Sequence, residues 1–234
     1  MRISLGSFRE VHPDLNLLMV NHDLTQEEID FAESKQVTVC SEGERYKEGN
    51  QDHGAGLDEA ALWCKFNDVY VLVIIEPDCV IFNDEWLRDL VSPIIQGDKW
   101  MTSSYKHRAG YYHPCGSAWL VEKIPCSFRP APVASYEQAL PEFQEILQAV
   151  EMLDEKDWGK DYYPVNWDAG GRPWFHCHVK GRSELVEVSA WSFFHLYEGS
   201  VISPYRILDR KPCNSFCYKR LSQFLPRPIP KIHT

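Results

Sequence analysis

The chain has 234 residues, is 44% hydrophobic and 13% aromatic, and carries a formal charge of −10. That hydrophobic share excludes the intrinsically disordered class, and the length suffices for one domain with a sizeable core. The acidic balance argues against broad electrostatic binding of nucleic acid, and no apolar run reaches the roughly 18–20 residues that span a bilayer.

Residues 1–14 contain no apolar stretch of the kind found in secretory leaders, which predicts a soluble, cytoplasmic protein. Eight cysteines (Cys40, Cys64, Cys79, Cys115, Cys126, Cys177, Cys213 and Cys217) follow no regular spacing. In a reducing compartment the expectation is buried thiols. His176, Cys177 and His178 together with Cys213 and Cys217 form an alternative zinc-ligand set, although the spacing is not that of a zinc ribbon or finger. Charge is unevenly distributed: 206–234 carries seven Lys or Arg against the single acid Asp209, a charge of +6 that leaves −16 on the remainder.

In chain order, residues 15–20 read as a strand. Thr25 and Glu28 match a capping box that opens a short helix. Residues 36–40 read as the next strand, and 41–56, polar and glycine-containing, as a loop. Residues 57–66 have helical character. Residues 69–82 begin as an apolar run rich in β-branched side chains, typical of a buried strand, then meet Glu76-Pro77-Asp78 and a second apolar run. In extended chain, side chains two apart share a face, so Glu76 and Asp78 are expected on one side with Pro77 on the other. Two hard oxygen ligands at a strand end suit Mg²⁺ or Mn²⁺; the plain alternative is a surface turn with two solvated acids. Asp84 is placed to cap a helix reaching about residue 95, and 99–103 reads as extended.

The second half begins with a polar, aromatic loop over 105–115, followed by a strand over 117–122 and a proline-containing loop over 127–133. Ser135 to Gln138 match another capping box, opening a helix to about residue 153. Asp168 is placed to cap a helix that has Pro173 in its first turn and ends near Gly181. Residues 185–188 and 191–196 read as short strands. Alternating strands and helices predict an α/β fold with a mainly parallel sheet, whose ligands bind outside the carboxyl ends of the strands.

Four of these elements stand in a suggestive order: the strand ending at Glu76-x-Asp78, the strand 116–121, Trp167-Asp168-Ala169-Gly170 opening a helix, and Phe194-His195-Leu196-Tyr197-Glu198-Gly199-Ser200. Over roughly 15–205 the chain resembles the nucleotide-sugar-dependent glycosyltransferases of the GT-A fold. The resemblance implies a single Rossmann-like GT-A domain over 1–205, with a mainly parallel central sheet flanked by helices, and a basic extension over 206–234. It implies a nucleotide-diphosphate sugar as donor, a hydroxyl acceptor, and Mn²⁺ or Mg²⁺ held by Asp78, by Glu76 directly or through water, and by His195. Gly199 and Ser200 would let backbone approach the phosphates, and Arg206, with Arg210 and Lys211, would clamp them. Asp168 would be the general base of an inverting displacement, with Asp157 and Asp161 competing for that role; a retaining mechanism follows if none is suitably placed.

Structural alternatives stand beside each role: His195 as a core histidine, Asp168 as a helix N-cap, and Tyr111, Tyr112, Trp119 and Trp191 as core instead of a stacking platform. GT-A enzymes usually open with a strand that helps hold the nucleobase; here residues 2–8 are either a shortened version of it or lack it. A nucleotidyltransferase of sugar phosphates, or a non-catalytic binding module on a degenerate transferase fold, zinc-stabilised or not, are the alternative functions.

Overall fold

A computed structural model of the chain describes residues 2–21, 24–40, 49–77, 79–105, 111–130, 169–188 and 193–195. It is mixed α/β and divides into two compact units: Met1–Asn16, Ile75–Arg88 and Val188–Thr234 form the first, and Leu17–Ile74 with Asp89–Glu187 the second. The proposed 205/206 boundary and the helix expected over 135–153 lie outside the described residues.

In the first unit, helix α1 (Arg2–Val11) occupies the stretch where a shortened first strand was one expectation. Ser4, Leu5, Ser7, Phe8 and His12 are all buried, a spacing of three and four that puts them on one helical face. The helix ends in a polar clasp: the Arg9 guanidinium donates to the carbonyls of His12, Pro13 and Leu15 at 3.3, 3.2 and 2.6 Å. This satisfies backbone acceptors beyond the last turn.

The second unit opens with strands β1 (Leu17–Val20) and β2 (Val37–Cys40), which pair in parallel. Parallel neighbours need a crossover, and helix α2 (Gln26–Ser34) supplies it. The expected capping box is formed, with Glu28 N–H donating to Thr25 Oγ1 at 3.4 Å and Thr25 N–H to Glu28 Oε2 at 3.0 Å.

Helix α3 spans Gly49–Phe66, so the loop expected over 41–56 gives way to helix from residue 49. Gly54, one of the glycines behind the loop expectation, lies within this helix. A Cβ there would lie 2.6 Å from the Arg129 Cα, so the missing side chain lets the helix approach the 128–129 backbone. The two stay together through Asp58, whose carboxylate accepts from Ser127 Oγ (2.5 Å), Phe128 N–H (2.7 Å) and Arg129 Nε (3.1 Å).

Strand β3 (Val71–Ile74) pairs antiparallel with β6 (Ser117–Leu120), β6 antiparallel with β5 (Met101–Ser103), and β5 in parallel with β7 (Ser183–Leu185). In the first unit β4 (Cys79–Ile81) pairs antiparallel with β8 (Phe193–His195). Among the described strands, then, two pairings are parallel and three antiparallel, which departs from the expected mainly parallel sheet. Hydrophobic patterning reports burial of a strand, not the direction of its neighbour, and β5 and β6 are buried at every position.

The core of the second unit gathers Leu57, Ala61, Leu72, Met101, Trp119, Phe128 and Trp174. Helix α4 (Glu85–Ile95) contains the unit boundary, after Arg88. At its start the Glu85 N–H donates to the Asn83 side chain at 3.0 Å. Helix α5 (Gly171–Val179) has Gly170 at its N-cap, with φ 86°, so the capping position falls two residues after Asp168. A Cβ on Gly170 would meet Pro114 at 3.1 Å; tight packing and positive φ together select glycine there.

Candidate functional site

The chain leaves β3 at Ile74 and enters the first unit at Ile75. It does not stay extended. Cys79 N–H donates to the Glu76 carbonyl at 3.0 Å, closing a turn with Pro77 as its second residue, a position for which the fixed proline φ is suited. Extended strand geometry, the premise for expecting Glu76 and Asp78 on one face, thus ends with β3 at Ile74. Glu76 is half-buried, Pro77 exposed, and Cys79, Val80 and Ile81 are wholly buried.

Helix α1 holds this turn through two small hydroxyls. Ser4 Oγ donates to the Glu76 carbonyl at 3.4 Å, while Ser7 Oγ accepts from Ile81 N–H at 3.0 Å and donates to the Ser4 carbonyl at 3.0 Å. Ser4 and Ser7 are 3% and 0% exposed, so water cannot substitute for either bond. These supporting residues escaped the sequence reading. The available signal was the spacing of Ser4, Ser7 and Leu5, Phe8, which marks one helical face as soon as small polar residues are allowed in it. Ser7→Ala withdraws both bonds and is expected to destabilise the chain by about 1–3 kcal/mol. Urea unfolding measures that loss, and amide exchange at Ile81 should accelerate; unchanged exchange would mean that Ser7 does not hold the strand.

On its other side β4 meets β8, with Cys79 opposite His195, Val80 opposite Phe194 and Ile81 opposite Phe193. Directly opposed residues of an antiparallel pair have Cα atoms about 4.5–5.5 Å apart. The backbone of His195 is thus set against the residue that follows Asp78, across more than a hundred positions of sequence. Asp78 itself, Asp157, Asp161, Asp168, Gly199, Ser200, Arg206, Arg210, Lys211 and Trp191 lie outside the described residues, as do Cys213 and Cys217. Of His195 only the backbone is described.

The remaining candidates resolve toward packing. Tyr111 and Trp119 are wholly buried, hence core instead of a stacking platform. Tyr112 is half-buried, its ring 5.4 Å from that of Trp174 and edge-on to His178 at 6.2 Å. Burial, with the Glu184 carboxylate adding to it, raises its phenol above the ordinary value. His176, Cys177 and His178 are consecutive in α5, and adjacent helical residues do not converge on one ion. Burial pushes the Cys177 thiol up to about 12, Cys126 adding and Lys180 opposing. Cys177 is 1% exposed and packs in the core of the second unit. Among the described residues, Cys40, Cys64, Cys79, Cys115, Cys126 and Cys177 form no disulfide with one another.

No helix of the described residues is long and apolar enough to cross a membrane. Comparison with protein-family models, with curated proteins and with solved structures finds no match to this chain.

Proposed function

We propose that the chain is a metal-dependent glycosyltransferase of the GT-A type, working in the cytoplasm on a nucleotide-diphosphate sugar and a hydroxyl acceptor. The observation that carries the reading is the register of β4 and β8, which brings the strand bearing His195 beside the residue after Asp78. The β1–α2–β2 crossover is a unit such a fold uses.

Two carboxylates and an imidazole form a donor set suited to Mn²⁺ more than to Mg²⁺, since imidazole ligation favours the later metal. Asp78, Glu76 and His195 would hold the ion. When bound, it supplies a Lewis acid that offsets the negative charge gathering on the departing diphosphate. Gly199, Ser200 and Arg206 are assigned to the same phosphates, by close backbone approach and by guanidinium hydrogen bonds. Asp168 is assigned as base, with Asp161 as the competing carboxylate. Its carboxylate takes the acceptor hydroxyl's proton while the acceptor oxygen forms the new bond to the anomeric carbon. The bond from that carbon to the diphosphate breaks, and its electron pair leaves with the nucleotide.

A second reading, a non-catalytic binding module on a transferase-like scaffold, is favoured by one observation. Residues 2–11 are helical where GT-A enzymes carry a strand for the nucleobase. A thermal-shift panel of UDP, GDP, CDP, ADP and dTDP, with and without Mn²⁺, separates the two. Ligand at a hundred times its dissociation constant stabilises by about 2.7 kcal/mol. The enzyme reading expects stabilisation that requires both one nucleotide and Mn²⁺. No response to any nucleotide overturns it in favour of the binding module.

A further inference from the structure

His12 is a buried imidazole in an apolar setting. It is 8% exposed, its ring 5.1 Å from that of Phe8 and edge-on to Trp86 at 5.9 Å. Among the described residues, its Nε2 has no hydrogen-bond partner. The backbone around it is nonetheless satisfied: its N–H donates to the Phe8 carbonyl at 2.7 Å and its carbonyl accepts from Arg9. The position is therefore an ordered helix terminus. Its side chain is the part left without polar contact at Nε2.

A neutral imidazole tolerates such a site, but an imidazolium does not, because it brings a full charge and a second N–H donor into apolar surroundings. The charged neighbours do not remove that penalty. Asp84, ahead of α4, favours the cation; Arg9, on α1 itself, presents its own positive charge to the His12 carbonyl and has Asp14, on the following turn, as its counter-charge. Trp86, the residue of α4 packed on the ring, brings no charge. Burial dominates and lowers the His12 value below 6.5, with Asp84 only partly opposing.

We propose that His12 makes the attachment of α1 to the segment 76–81 acid-sensitive, so that α1 grips the turn at neutral pH and loosens as the imidazole takes up a proton. The connection is structural: the helix face that buries His12 and Phe8 also carries Ser4 and Ser7, which hold Glu76 and Ile81. The sign follows from linkage. A histidine whose folded value is depressed contributes stability in full above its unfolded value of 6.5, and that contribution is lost as pH falls below it. The device concerns the support of the turn and stands whether or not the turn holds a metal.

The test is amide hydrogen exchange of the full chain at about pH 7.5 and about pH 5.5, corrected for intrinsic exchange, together with an NMR titration of the His12 ring. One pH unit below the unfolded value, linkage limits the loss to about tenfold. Protection of residues 2–11 and 79–81 should fall several-fold toward that limit in the unaltered chain. In His12→Phe, which keeps an aromatic ring in the pocket, it should be unchanged. An equal loss in both chains overturns the proposal, as does a ring that titrates at or above its ordinary value in the folded state. Should His12→Phe not fold, the ring titration of the unaltered chain decides alone. No metal or nucleotide enters these measurements, so their outcome is separate from that of the donor-binding panel.

Discussion

Asp78→Asn is expected to abolish Mn²⁺-dependent nucleotide binding while leaving unfolding stability within about 0.5 kcal/mol, since the two side chains match in volume. Asparagine keeps the shape of aspartate and removes its charge, and a divalent cation in an oxygen-rich site depends on that charge. Even groups that only orient a metal ligand are worth about 10–100-fold in affinity, so removal of a ligand itself should exceed that. Isothermal calorimetry with nucleoside diphosphate and Mn²⁺ reads the loss directly, and the unliganded melting temperature controls for folding. Asp168→Asn is the complementary change, expected to spare binding and stop transfer. Normal donor binding by Asp78→Asn would remove the metal reading; full transfer by Asp168→Asn would pass the base role to another carboxylate, Asp161 first.

The largest effect on stability is expected from Trp119→Ala, at about 3–5 kcal/mol. Trp119 is wholly buried in β6, the strand flanked by β3 and β5. Its ring meets Phe128 edge-on with centroids 5.0 Å apart, and its Nε1–H donates to Ser117 Oγ at 2.7 Å. Truncation removes the aromatic contact and leaves a cavity in the layer that β3, β5 and β6 share. Domains of this kind have about 5–15 kcal/mol in total, so the variant should be marginal at ordinary temperature. Urea unfolding with an unchanged slope and a much lower midpoint is the expected record. Trp119→Phe, which keeps most of the volume, should cost less. A loss below about 1 kcal/mol for the alanine variant would show that Trp119 does not pack as described.

The features legible in the chain's own residues are local. The Thr25–Glu28 capping box closes within four residues and forms as expected. The apolar run 71–74 is a strand because its side chains are β-branched or large and apolar, and Cys79 to Ile81 are buried for the same reason. Cys177 is a buried thiol, as the absence of a regular cysteine spacing suggested. Glu76 and Asp78 are candidate metal ligands because two carboxylates one residue apart between two apolar runs are conspicuous in any sequence.

How these pieces meet is set by partners distant in the chain. Antiparallel β3–β6 and β4–β8 pairing, and with it the placement of His195 opposite Cys79, depends on hydrogen bonds between residues far apart in sequence. A strand's own side chains specify which faces are buried but not the direction of its partner. In the first half of α3, Gly54 carries a propensity penalty but leaves room for the Arg129 backbone, which a Cβ would meet at 2.6 Å. Helix α1 is held on segment 76–81 by Ser4, which donates to the Glu76 carbonyl, and Ser7, which accepts from the Ile81 N–H. Capping and periodicity act over one or two turns of chain; pairing direction and close packing are settled by partners that no local window contains.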